Sequence, residues 1–158
     1  MPYLVPMSSP DLSDAERQAV QAVLNTPNLS MGREIEQFEA AFCQYTSSSQ
    51  AVGVNSGTAG LHLCIRAVDV QPGDLVLTTP FSFVASTNVV LFENAVPVFV
   101  DVDPKTYNMT AELVEAKINP KTKAIIPVHL YGHPANMPAI TNPRNPAGTK
   151  RRKKWGMM

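Results

Sequence analysis

The chain has 158 residues, 44% of them hydrophobic, with 13 basic residues balanced by 13 acidic ones. That size suits one ordinary domain with a real core, and a net charge near zero lacks the field of a protein whose main business is nucleic acid. No stretch approaches the roughly 18 apolar residues of a membrane span, and Met-Pro-Tyr-Leu-Val-Pro does not resemble a secretory leader, so the cytoplasm is the expected location.

Ser13-Asp-Ala-Glu16 reads as a capping box that opens a helix to about Leu24, with Ala19, Val20, Val23 and Leu24 on one side. Thr26-Pro27-Asn28 ends it. After Gly32, Ile35, Phe38, Ala41, Phe42 and Tyr45 recur at helical spacing until Ser47 to Ser49 break the pattern. This aromatic stripe reads as core rather than as a cofactor box. Cys43 and Cys64 lack CxxC spacing and are expected as buried free thiols.

From Gln50 the texture becomes short apolar strands alternating with helices. The predicted strands are Ala51 to Val54, Leu75 to Thr78, Val96 to Val100 and Ala124 to Val128; the predicted helices are Thr58 to Val68, Phe83 to Glu93 and Ala111 to Ile118. Strands that are apolar throughout and separated by helices predict an α/β fold with a largely parallel sheet covered on both faces. Pro72-Gly73-Asp74 and Asp103-Pro104-Lys105 are turns, and Thr110 caps the helix that follows. Around Ile140 the pattern breaks. Residues 141–158 carry no periodicity and hold the basic run Lys150 to Lys154, so the domain is expected over 1–140 and an unstructured basic tail over 141–158.

In an open α/β sheet, ligands sit outside the carboxyl ends of the strands. Asn55-Ser-Gly-Thr-Ala-Gly60 forms a tight turn into a helix, where unpartnered N–H groups and the helix dipole favour an anion. It is neither the GxGxxG fingerprint nor a Walker loop, and by itself a tight packing turn explains it equally well. Thr79 to Thr87 places Phe81, Phe83 and several hydroxyls near the end of the next strand, which suits a flat phosphorylated cofactor or, alternatively, simple core filling. His62 reads as a satisfied core histidine. His129, in Pro-Val-His-Leu-Tyr-Gly, is better placed for function but receives no catalytic role.

The ordered blocks Val54-Asn-Ser-Gly-Thr-Ala-Gly-Leu-His62, Gly73-Asp74, Pro80-Phe-Ser-Phe-Val-Ala-Ser-Thr-Asn88, Pro97-Val-Phe-Val-Asp-Val-Asp103 and Thr122 to Gly132 resemble the N-terminal part of the DegT/DnrJ/StrS sugar aminotransferases. The resemblance covers roughly residues 2 to 140. It implies a pyridoxal-phosphate (PLP) enzyme of the aspartate-aminotransferase type (fold type I, large domain, incomplete here). Such enzymes transfer an amino group from glutamate or glutamine to a nucleotide-linked keto sugar and typically act as homodimers. By the same resemblance Gly57, Thr58 and Ala59 would hold the cofactor phosphate, and Phe83 would stack on its ring.

The family's chemistry needs a lysine that joins the cofactor covalently and a carboxylate that keeps the pyridine nitrogen protonated. In the family both follow the Pro-Val-His strand, and this chain ends before either is expected. Asp101 reads as structural, and none of Lys105, Lys117, Lys121, Lys123, Lys150, Lys153 and Lys154 is expected to serve as that lysine, so no catalytic residue is assigned. The expectation is an inactive fragment whose last 18 residues follow a frameshift or premature join near Ile140. The reading from another class is a non-enzymatic remnant or a binding module that uses the basic tail.

Overall fold

The computed structural model describes residues 9–141 and the backbone of 156–157. The chain divides into two units, Met1–Gly53 and Val54–Met158.

In the first unit, helix α1 spans Asp14–Leu24 and α2 spans Arg33–Thr46. The capping box forms: the Ser13 N–H donates to Glu16 Oε2 over 2.7 Å, and the Ser13 hydroxyl accepts from the Ala15 N–H over 3.2 Å. Hydrogen bonding, chiefly from the Ser13 hydroxyl, holds the Glu16 carboxyl below its ordinary value. Helix α2 ends where Ser47 turns left-handed at φ 56°. Its aromatic stripe is not core as expected. The Phe38 and Phe42 rings meet at 6.1 Å, yet both stay exposed, as does Tyr45, and no residue of either helix is buried. A stripe this wide is buried only where other elements cover it, and the described residues of this unit leave it exposed.

After α2 the chain returns to it. The Gly53 N–H donates to Glu39 Oε1 over 2.7 Å, and a Cβ on Gly53 would fall 2.3 Å from Ile35 Cδ1, so glycine permits this approach. Residues 51–54 form no strand. Apolar content alone does not make one; a strand needs a second backbone to bond, and here the Gly53 N–H is engaged by a side chain instead.

The second unit is built on parallel strands β1 (Leu75–Thr78), β2 (Val96–Phe99), β3 (Thr122–Ile125) and β4 (Gly156–Met157), in the order β2-β1-β3-β4. Around them lie α3 (Gly57–Ala67), α4 (Ala85–Phe92), α5 (Ala111–Glu115) and α6 (Met137–Thr141). Successive strand residues point to opposite faces. Val76 and Ala124 pack with Ile65 of α3 and with Val89 and Val90 of α4. Leu77 and Ile125 pack on the other side with Val114 of α5 and Ile140 of α6. Both faces are therefore covered, which is why the strands are apolar throughout.

Strand β3 starts two residues before its predicted position, because Thr122 pairs with Leu75. The Ile126 N–H still donates to the Leu77 carbonyl over 2.8 Å, and Pro127 then offers no N–H to continue the ladder. At the far end of the sheet, β2 carries Pro97, which suits an edge. Both thiols are free but not buried: Cys43 is half-buried, and Cys64 lies on the exposed side of α3. Of the expected tail, Gly156–Met157 pair with Ala124 and Ile125 as a two-residue strand, and the basic run lies outside the described residues. Among the described residues, no helix is long and apolar enough to cross a membrane.

Candidate functional site

Helices α3 and α4 pack on one face of the sheet and run back against its parallel strands. Their N-terminal ends therefore lie at the carboxyl ends of the strands, the side where α/β sheets bind ligands.

The start of α3 is prepared for an anion. Ser56 donates its hydroxyl proton to Asn55 Oδ1 over 3.3 Å and accepts the Ala59 N–H over 3.1 Å, while its carbonyl accepts the Gly60 N–H over 3.0 Å. The N–H groups of Gly57 and Thr58 meet no acceptor among the described residues. Of the three sequence-predicted phosphate contacts, Gly57 and Thr58 thus offer free N–H groups, and the Ala59 N–H is already used by the cap. Gly57 has no packing reason to be glycine, since a Cβ there would meet nothing within 4 Å. Gly60, by contrast, would bring a Cβ 3.4 Å from Val54 Cγ2, so its bareness serves the turn itself.

Phe83 stands immediately before α4 with 78% of its surface exposed. Its backbone is fixed: the Phe83 carbonyl accepts the Ser86 hydroxyl over 3.1 Å and the Ser86 N–H over 3.3 Å. Upstream, the buried Thr78 hydroxyl donates to the Ile126 carbonyl over 3.3 Å, and Thr79 Oγ1 accepts the Phe81 N–H over 3.1 Å. Phe81 leans on Tyr107 at 5.9 Å between ring centroids. An outward-facing ring on a fixed backbone, such as that of Phe83, is an available stacking platform.

Sequence reasoning passed over Asn108, which is only 4% exposed. Its Nδ2 donates to the His133 carbonyl over 2.9 Å and its Oδ1 accepts the Leu130 N–H over 3.1 Å, so one amide ties both ends of the loop after β3. In Tyr-Asn-Met-Thr the residue reads only as part of a turn. Inside the loop it holds, Tyr131 and Gly132 both take positive φ, 50° and 80°.

His129 is exposed, and its Nδ1 accepts the Ala135 N–H over 3.0 Å, which leaves the proton on Nε2 when the ring is neutral. His62 is satisfied, though at a half-buried surface rather than in the core: its Nε2 lies 2.6 Å from Glu93 Oε1. Asp101 and Asp103 serve the turn, as expected. Asp101 Oδ1 accepts the Val102 N–H, and Asp103 Oδ1 accepts those of Thr106 and Lys105. The Thr106 N–H first, then that of Lys105, holds the Asp103 carboxyl below its ordinary value. Lys105, Lys117 and Lys121 are exposed, and Lys123 pairs with Asp69 at 3.6 Å. No group of three or more His, Cys, Asp or Glu side chains among the described residues is placed to hold a metal ion.

A parallel sheet covered on both faces, with helix starts at the carboxyl ends of its strands, defines an α/β domain of the ligand-binding kind. Residues 10–146 match the DegT/DnrJ/EryC1/StrS aminotransferase family, and the chain belongs to it. It is 42% identical over 136 residues to the uncharacterized protein MJ1066 of Methanocaldococcus jannaschii, covering 86% of this chain and 35% of that protein. Among solved structures, it is similar to the aminotransferase from Psychrobacter cryohalolentis (38% identity, TM-score 0.80, 89% of this chain and 36% of that one). It is also similar to GDP-4-keto-6-deoxymannose-3-dehydratase, solved with a trapped adduct of PLP and glutamate (29% identity, TM-score 0.80, 87% of this chain and 37% of that one). The fold is thus part of the PLP-dependent transferase fold (fold type I), and the chain spans about a third of the length of these relatives.

Proposed function

We propose that this chain is the cofactor-gripping part of a PLP-dependent transaminase of nucleotide-linked keto sugars, with glutamate or glutamine as amino donor. When bound, PLP supplies an electron sink through which an amino group can leave one carbon and be installed on another. In this reading the N–H groups of Gly57 and Thr58 and the Thr58 hydroxyl hold the phosphate, with Ala59 closing the cradle. Phe83 would stack on the cofactor ring.

The observation that carries the reading is Gly57: a glycine at a helix start, with open space above it and two free N–H groups, leaves room for a ligand rather than for the protein's own packing. The GDP-sugar dehydratase relative supports a nucleotide-linked keto sugar, and its PLP–glutamate adduct supports glutamate as donor. The exposed stripe of Phe38, Phe42 and Tyr45 supports pairing into a homodimer, and the cytoplasm is the proposed location.

None of the described lysines is proposed as the covalent anchor, because Lys105, Lys117 and Lys121 sit in exposed turns and Lys123 of β3 pairs with Asp69. The test is ultrafiltration of the 158-residue chain with PLP, followed by borohydride and peptide mapping. The expected result is reversible retention that Thr58→Val weakens, with no modified lysine and no amino transfer. Retention indifferent to Thr58, or a stable adduct at one lysine, overturns this assignment. Salt-sensitive binding of nucleic acid that disappears when residues 149–158 are removed would favour a basic-tailed binding module instead.

A further inference from the structure

Glu93 occupies an unfavourable place for a carboxylate. It is the C-cap of α4, where the helix dipole presents partial negative charge. It gains no benefit from its own helix, and its partners come from α3. His62 Nε2 lies 2.6 Å from Glu93 Oε1, and Arg66, one turn further along the same face of α3, brings its Nε to 3.8 Å from the same oxygen. An ionised carboxylate only accepts, so His62 Nε2 carries the proton in either charge state of the ring. The ring is further held edge-on against Phe92 at 5.3 Å. One oxygen thus takes a hydrogen bond from His62 and a looser ion pair with Arg66, both from α3, and ties that helix to the end of α4.

The two helices so fastened are the ones whose starts carry the phosphate cradle and the Phe83 platform. We propose that Glu93 is a positioning residue: through His62, and secondarily Arg66, it sets the register of α3 against α4 and so the spacing between the cradle and the platform. This rests on the PLP reading above and adds to it the group that keeps its two contact points matched to one rigid ligand. A ligand that touches only the cradle has no need of that spacing. One that spans cradle and platform depends on it, because the second contact forms within the molecule only when the geometry permits both at once.

The test compares two probes on the full chain: inorganic phosphate, followed by amide shifts at residues 57 and 58, and PLP, followed by ultrafiltration. For Glu93→Ala the expected result is a PLP affinity about tenfold weaker with phosphate affinity unchanged within about twofold. Glu93→Gln retains an acceptor for the His62 proton and is expected to restore PLP affinity to within about twofold of wild type. In Glu93→Ala the relief of a charge that the helix end disfavours opposes the loss of the His62 bond, so a cooperative melt close to wild type is expected for both variants, which checks folding. Equal PLP affinity in Glu93→Ala, or parallel weakening of both probes, overturns the positioning role and leaves the cofactor reading standing. Failure of the wild-type chain to bind PLP overturns the cofactor reading and this inference with it.

Discussion

Replacing Gly57 by alanine should make the protein more stable and its cofactor binding worse. The backbone at Gly57 lies outside the left-handed region, and a Cβ would meet no atom within 4 Å, so the folded state accepts a methyl group without strain. Glycine in a helix costs conformational entropy that alanine does not, and at a compatible position the exchange yields about 0.4–1 kcal/mol, mainly through the unfolded chain. For a chain of 158 residues that corresponds to an increase of about 1–4 °C in the melting midpoint. The same methyl would stand where the phosphate oxygens must approach the first free N–H groups of α3. Losing one charge-assisted hydrogen bond costs about 1.5–3 kcal/mol, or roughly ten- to hundredfold in affinity. Thermal melting without ligand gives the first quantity, and ultrafiltration with PLP gives the second. A lowered melting midpoint would refute the claim of open space, and undiminished binding would refute the claim that the phosphate occupies it.

Phe83→Ala should leave stability within about 0.5 kcal/mol, because the ring is exposed and holds no neighbour in place, while weakening PLP retention by roughly tenfold through loss of a stacked ring. Asn108→Ala strands the Leu130 N–H and the His133 carbonyl; denaturant unfolding should show a loss of about 1–3 kcal/mol, with fastest hydrogen exchange at residues 130–135. The Asp103 carboxyl is held below its ordinary value of 3.8 by the Thr106 and Lys105 N–H groups. A carboxyl depressed in the folded state contributes stability above the unfolded value that is lost as pH falls through the folded one. Melting midpoints should therefore fall on acidification below pH about 4, and Asp103→Asn should flatten that decline; an unchanged slope would show that the turn bonds do not bias protonation.

Much of this was legible in the sequence where a rule acts locally. The Ser13 capping box and the Asp103 turn each depend on residues within four positions of one another. The features that were not legible depend on residues far apart in the chain. Residues 51–54 have a strand's composition and no strand, because pairing requires a partner that composition cannot supply. The stripe of Phe38 and Phe42 has the period of a core helix, but period describes which side is apolar and not what covers it. Nothing near Asn108 in the chain marks it, because the loop that its amide ties lies 22–25 positions later.

The same distinction separates binding from proton transfer in the proposed site. A phosphate grip and a stacking ring can both be made at the starts of two helices on one sheet face, which Ala95, Ala124 and Ile126 also help to seat. Transamination also needs an amine at the reacting carbon, held where it can take and return a proton. Among the described residues, Lys105, Lys117 and Lys121 are exposed turn residues and Lys123 pairs with Asp69. On the proposed reading the grip needs only backbone geometry at two helix starts, and the reactive amine is a separate requirement that no described lysine is proposed to meet. On the proposed reading, the expected combined result is a PLP affinity sensitive to Gly57 and Glu93, with none of the described lysines trapped by borohydride.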